Sequence, residues 1–190
     1  MKVYIEAGAN DGIFQSRSLE HLNEEYFGIL IEALPAVAEQ CRKNRKGTNC
    51  VVVNTALVPF NYPNKTIEIN LHKQHTAMAT LRDLDKDEYP NTITVNASTL
   101  TDILNTLNIN KIDIFYLDVE GYELEVLKGI DFDKIHIDNI ELEAHYNLKG
   151  IDNTKEEEIK KHVDYLTPLG YNHKIVSEQG QHDKIIFTKN

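Results

Sequence analysis

The chain is short of cysteine, of long apolar runs and of positive charge. Its two cysteines, Cys41 and Cys50, fall in a helical pattern and a strand pattern. That usage predicts reduced core or edge thiols of a cytoplasmic protein rather than a disulfide framework. No apolar run approaches the ~20 residues a membrane-spanning helix needs. Met1-Lys2 leads straight into a short strand, so no signal peptide is expected. Lys and Arg number 20 against 30 Asp and Glu, a net charge of −10 over 190 residues. The basic cluster Arg42-Lys43-Asn44-Arg45-Lys46 ends a predicted helix, where cations complement the helix dipole. A duplex-binding face needs many such residues on one side, so nucleic acid is not expected as the partner. Repeats, low-complexity tracts and linkers are missing too, and the 190 residues are expected to form one domain.

What is present is an alternating β/α pattern. Lys2 to Ala7 is β-rich, stops at glycine and reads as strand one. Gly12 to Tyr26 places Ile13, Phe14, Leu19 and Leu22 at roughly helical spacing, which predicts a helix. Phe27-Gly28-Ile29-Leu30-Ile31 is continuously apolar, like a strand covered on both faces, and ends at Glu32. Pro35 suits the first turn of the next helix, expected to reach about Asn44. Asn49 to Val58 reads as strand three. An insertion follows: Pro59, Asn61, Pro63 and Asn64 mark a turn, and the alternating segments Thr66 to Leu71 and Thr92 to Val95 are expected to pair. Between them Lys73 to Asn91 has no period, the mark of a functional loop. Thr99 or Thr101 caps another helix. Strand four is Ile112 to Leu117, followed by a helix from Glu123 to Gly129, and strand five is Ile137 to Glu143. A charged helix opens with Asn153 as its cap and ends at Gly170. Tyr171 to Val176 and Lys184 to Thr188 are too closely joined to be parallel and form a hairpin. The sum is an α/β, Rossmann-like sheet, mostly parallel, with one antiparallel strand near the end and a small β insertion after strand three.

Two acidic corners fall at strand carboxyl ends, where open α/β sheets bind ligands. One is Glu6-Ala7-Gly8-Ala9-Asn10-Asp11-Gly12; the other is Tyr116-Leu117-Asp118-Val119-Glu120-Gly121-Tyr122-Glu123. They are expected to face each other across one cofactor. The first corner lacks the middle glycine of Gly-x-Gly-x-x-Gly, so no pyrophosphate seat is provided. Glu32, about twenty residues beyond Gly12, sits where such sheets read ribose hydroxyls. Ribose recognition without diphosphate recognition suits S-adenosylmethionine, whose sulfonium and ammonium match Glu6, Asp11 and Asp118. The competing readings are an NAD- or nucleotide-sugar-binding oxidoreductase and a non-catalytic cofactor-binding module.

The two corners, together with Gly28-Ile29-Leu30-Ile31-Glu32-Ala33, Asn54-Thr55-Ala56-Leu57 and the continuation Leu124-Glu125-Val126-Leu127-Lys128-Gly129, resemble the FkbM family of methyltransferases. The resemblance covers most of the chain in order, and Asp-Val-Glu-Gly with its Leu-Lys-Gly ending is its most specific part. It implies the class I methyltransferase fold, strand order 3-2-1-4-5-7-6 with strand 7 antiparallel. It implies S-adenosylmethionine as cofactor and O-methylation, often of sugar hydroxyls. Carried over by position, Gly8, Asn10 and Gly12 would contact the methionine part and Glu32 the ribose. Asn54, Thr55 and Ala56 would lie near adenine, and Asp118 near the methionine amine. Family members often have residues ahead of strand one that help cover the substrate; here a second copy in a homo-oligomer would supply that cover, or the site is open.

Methyl transfer to oxygen is an in-line displacement that needs the hydroxyl proton removed. His145, just beyond strand five, is the first choice of base because imidazole titrates near neutrality. Glu120, two residues after Asp118, is the second. Asp118, Glu143 and His145 are also oxygen and imidazole donors that suit a divalent ion such as Mg²⁺ or Mn²⁺, a reading not favoured here. His72-Lys73-Gln74-His75 has a metal-like spacing, but two histidines alone specify little. Glu123 and Glu125 are expected on a solvated helix face.

Overall fold

The apolar runs of the sequence become one central sheet. In the computed structural model, which describes residues 1–22, 25–73, 79–81, 87–146, 153–177 and 182–190, seven strands lie in the order β3-β2-β1-β7-β8-β10-β9. They are β1 (Lys2–Ala7), β2 (Tyr26–Glu32), β3 (Cys50–Asn54), β7 (Lys111–Leu117), β8 (His136–His145), β9 (Tyr171–Ser177) and β10 (His182–Lys189). The pairings from β3 through β8 are parallel, whereas β10 is antiparallel to both its neighbours. With the insertion strands set aside this is the expected 3-2-1-4-5-7-6. Ile5, Ile29, Phe115, Ile140 and Phe187 are wholly buried along it, each such side chain stabilising the fold by about 1.5–3 kcal/mol.

The insertion is a separate sheet of β4 (Ala56–Leu57), β5 (Thr66–Leu71) and β6 (Asn91–Ser98), in the order β4-β6-β5. The expected antiparallel pairing of Thr66–Leu71 is there, against Asn91–Asn96. Strand three is shorter than Asn49 to Val58, because the chain leaves the main sheet at Thr55. The Thr55 hydroxyl donates to the Asn96 carbonyl at 3.1 Å, and Ala56 then pairs with Ala97 instead. Strand five is longer than expected and takes in His145, which is a buried strand residue and not a loop residue.

Helices α1 (Pro35–Asn44), α2 (Leu100–Leu107), α3 (Glu123–Leu127) and α4 (Lys155–Leu166) connect the strands. Proline opens α1, and the Thr99 hydroxyl caps α2 through the Asp102 N–H at 3.0 Å. The cap of α4 is Thr154, in a capping box with Glu157, and not Asn153. Asn153 instead donates to Glu158 Oε2 at 2.6 Å. The α-helix stops at Leu166, and a 3₁₀ turn carries the chain to a left-handed Gly170.

The expected helix over Gly12 to Tyr26 does not form. Among its described residues only Arg17–His21 is helical, as a short 3₁₀ turn. Asp11 Oδ1 accepts from the N–H groups of Ile13 and Phe14, and Gln15 is left-handed, at φ +54°. The Glu6 carboxylate then draws in the Ser16 and Ser18 hydroxyls and the Arg17 N–H at 2.6–2.8 Å. This tertiary anchor outweighs a helical pattern whose apolar members, Ile13, Phe14, Leu19 and Leu22, remain exposed.

Candidate active site

The two acidic corners lie side by side at the carboxyl ends of β1 and β7, and not across a gap as expected. Asp118 N–H donates to the Ala7 carbonyl at 3.1 Å, and a Cβ on Gly8 would fall 1.7 Å from the Asp118 carbonyl oxygen. Gly8 is left-handed, at φ +80°, so it alone permits this contact. Both corners border one cleft, which extends over the end of β2 to the insertion sheet.

Of the residues singled out in the sequence, Glu6, Gly8, Asn10, Glu32, Thr55, Ala56, Asp118 and Glu120 line that cleft. Asp11, Gly12, Asn54 and His145 are not among the lining residues. Asp11 caps its own turn. Gly12 packs against Cys41 and Arg45, and its carbonyl accepts from Arg45 Nε at 2.6 Å. Asn54 ties down the carbonyls of Glu32 and Ala33, both at 2.8 Å. Gln74 and His75 lie outside the described residues, as does most of the Lys73 to Asn91 loop.

Glu32 accepts from the N–H groups of Asn10 at 3.0 Å and Leu34 at 2.8 Å, and so fixes the first corner onto β2. Burial pushes its carboxyl above the ordinary range, and those N–H groups oppose the rise. Beyond it Leu34, Val37, Ile69, Ala79 and Leu81 give the cleft an apolar wall. Ile69, Ala79 and Leu81 come from the insertion.

The other end of the cleft is crowded with carboxylates. Glu120 has φ +53°, rare for a residue with a side chain, and its carbonyl is held by the Thr80 hydroxyl at 2.8 Å. Burial, then the charges of Asp118, Glu123 and Glu143, push Glu120 up to about 8. Burial raises Asp118 as well, followed by the charge of Glu123. Glu143 is raised by burial and by Asp118, to which it is hydrogen-bonded. Asp118 Oδ1 is buried with no hydrogen-bond partner. Tyr116 lines the cleft too, but burial and a hydrogen bond to Glu20 raise its phenol further from ionisation. His145 stands behind this wall, its Nε2 3.6 Å from Glu120 Oε2 and its Nδ1 3.7 Å from Glu123 Oε1.

Glu123 corrects one expectation outright. It is fully buried and accepts from the N–H groups of Val119 at 3.1 Å and Gly121 at 2.9 Å. Sequence reasoning also passed over Arg17, which lines the cleft and pairs with Glu141 at 2.8 Å and Glu143 at 3.3 Å. The alternation Glu141, Glu143, His145 along β8 was the available signal that these three share a face.

The donor set suits an adenosyl cation: a carboxylate for hydroxyls at one end, an apolar wall, and crowded carboxylates at the other. Sheet order and cleft position together define the class I methyltransferase fold. Solved structures with this fold include the fibrillarin pre-rRNA processing protein of Methanococcus jannaschii, with 14% identity, a TM-score of 0.56, and 99% of this chain and 66% of that one covered. They include Aeropyrum pernix fibrillarin with natively bound S-adenosyl-L-methionine, at 13% identity, TM-score 0.59, and coverage of 98% and 66%. A putative rRNA-methylase from Clostridium thermocellum has 8% identity, TM-score 0.53, and coverage of 100% and 89%. At these identities the likeness is one of fold, and the chain spans just under two thirds of either fibrillarin. No curated protein matches the sequence. The sequence model of the FkbM methyltransferase domain matches residues 6–173, and the chain belongs to that family. S-adenosylmethionine is the family's cofactor.

Proposed function

We propose that this protein transfers the methyl group of S-adenosylmethionine to a hydroxyl of a sugar, presented as a nucleotide-activated sugar or a glycan precursor. The observation that carries the reading is the single cleft shared by Glu32 and the Asp118–Glu120 corner. Bound there, the cofactor supplies an electrophilic methyl group on cationic sulfur. Gly8 and Asn10 bind its methionine part, Glu32 accepts from the ribose hydroxyls, and Thr55, Ala56 and the apolar wall flank the adenine. Asp118 faces the ammonium. Glu120 takes the proton of the acceptor hydroxyl, because it lines the cleft while His145 does not. His145 is a positioning residue that braces Glu120 from behind. Phe14 supports a sugar acceptor: its ring borders the cleft and is 58% exposed, a free apolar face for the C–H side of a pyranose.

The test is calorimetry with S-adenosylhomocysteine, followed by transfer of labelled methyl to a panel of nucleotide-activated sugars, with an RNA arm because solved relatives include RNA methylases. The net charge of −10 favours the small acceptor. Glu120→Gln and His145→Ala are expected to keep S-adenosylhomocysteine affinity within a few-fold while lowering turnover. Binding of NAD in place of S-adenosylhomocysteine overturns the cofactor reading. Methylation of RNA but no sugar overturns the acceptor, and wild-type rates in both variants overturn the assignment of Glu120.

A further inference from the structure

We propose that Glu143, His145 and His182 form a site for one divalent transition-metal ion beside the cleft. Glu143 and His145 lie two residues apart on one face of β8, and His182 opens β10 directly opposite His145. The donors therefore stand on two hydrogen-bonded strands, a more rigid mounting than a loop. His182 Nε2 is 3.1 Å from Glu143 Oε1, His145 Nε2 is 4.0 Å from the same oxygen, and the three ligand atoms lie within 4.8 Å of one another. An ion with bonds of about 2.1 Å holds neighbouring ligand atoms about 3–3.5 Å apart. Small side-chain rotations close the set. Two imidazoles and one carboxylate suit zinc, iron or manganese rather than the all-oxygen preference of magnesium and calcium.

The surroundings point the same way. His145 Nε2 lies between Glu120 Oε2 at 3.6 Å and Glu143 Oε1 at 4.0 Å, and Glu123 Oε1 stands 3.7 Å from Nδ1, on the side from which outer carboxylates orient metal-bound histidines. Asp118 is hydrogen-bonded to Glu143, yet its Oδ1 is buried without a partner. His182 is about one-third exposed, which gives an ion a way in. Among the described residues two other groups bring three such ligand atoms as close together, and they fit less well. Asp118, Glu120 and His145 borrow carboxylates from the cleft wall, and Glu123, Glu158 and His162 are sealed from solvent.

The inference goes beyond the methyl-transfer reading and does not rest on it. Protein stripped with a chelator is titrated with Zn²⁺ by calorimetry and with Co²⁺ by visible absorption, and S-adenosylhomocysteine affinity is measured in parallel. One ion per chain is expected, with a nitrogen-ligated Co²⁺ spectrum and at least tenfold tighter binding of Zn²⁺ than of Mg²⁺. His182→Ala and the milder His182→Gln are expected to weaken Zn²⁺ at least tenfold while S-adenosylhomocysteine affinity is kept. No stoichiometric ion in the wild type, or unchanged affinity in the folded variant, overturns the site and leaves an internal ion-pair cluster only. Loss of S-adenosylhomocysteine binding with intact Zn²⁺ binding counts against the cofactor reading alone.

Discussion

The two acidic corners of the cleft are built on opposite electrostatic terms. At the ends of β1 and β2, protein donors meet the carboxylates. Glu6 accepts two hydroxyls and a backbone N–H, with buried Arg45 3.9 Å away, and Glu32 accepts two backbone N–H groups. At the ends of β7 and β8, Asp118, Glu120 and Glu143 lie against one another, and burial plus mutual repulsion pushes all three upward. Glu6 is complete without a ligand. The second corner becomes electrostatically complete when a cation arrives. Strain and crowding of this kind persist where the surrounding structure overdetermines them, as at ligand sites. Here the surroundings are the Gly8–Asp118 backbone contact and the Thr80 hydroxyl that holds Glu120 in its left-handed conformation.

The largest effect is expected where the corners touch. Gly8→Ala puts a methyl group into the Asp118 carbonyl, at a φ that side chains avoid. Overpacking and the left-handed penalty together should cost about 2–5 kcal/mol in thermal or denaturant unfolding. A loss below about 1 kcal/mol would mean that the corners move independently. Glu6→Ala comes next. It leaves the buried Arg45 charge without its carboxylate and releases the Ser16 and Ser18 hydroxyls, for about 3 kcal/mol. Glu120→Gln is the counterpart in the second corner. Removing one of several crowded charges should leave stability within about 1 kcal/mol of wild type or above it, while turnover falls about 10²–10⁴-fold. Equal destabilisation by Glu6→Ala and Glu120→Gln would abolish the contrast between the corners.

The contrast was only half legible in the sequence, and the division follows the range of the interactions. Pro35, the Thr99 cap, the continuous run Phe27–Ile31 and the alternation of Thr66–Leu71 are set by neighbours in the chain and show in the local pattern. The helical pattern over 12–26 gives way because Glu6, ten to twelve residues upstream, holds Ser16 and Ser18. Glu123 looked solvated because helical spacing does not show that the left-handed turn at Glu120–Gly121 leaves N–H groups in need of an acceptor. Asp11 and Gly12 lie in the turn after β1 and Asn54 ends β3, yet none of them lines the cleft, because a motif gives a residue's place in the chain and not the direction its polar atoms face. His182 enters the second corner through the register of an antiparallel pairing, which side-chain chemistry does not encode.

The smallest expected effect asks to which side of the contrast Glu32 belongs. Its carboxyl is raised above the ordinary 4.5 by burial, although the Leu34 and Asn10 N–H groups pull the other way. The folded chain therefore holds this proton more tightly than the unfolded chain does. Its contribution to stability is complete below the unfolded value and is lost as pH rises through the folded one. Without cofactor, the unfolding free energy of wild type minus that of Glu32→Gln should fall with increasing pH across that window and level off above it. S-adenosylhomocysteine should raise the difference above the window and so flatten the fall, because there the carboxylate is charged and accepts ribose hydroxyls that Gln holds less well. If the cofactor-free difference instead rises with pH, the two N–H bonds outweigh burial, and Glu32 is as fully provided for by the protein as Glu6.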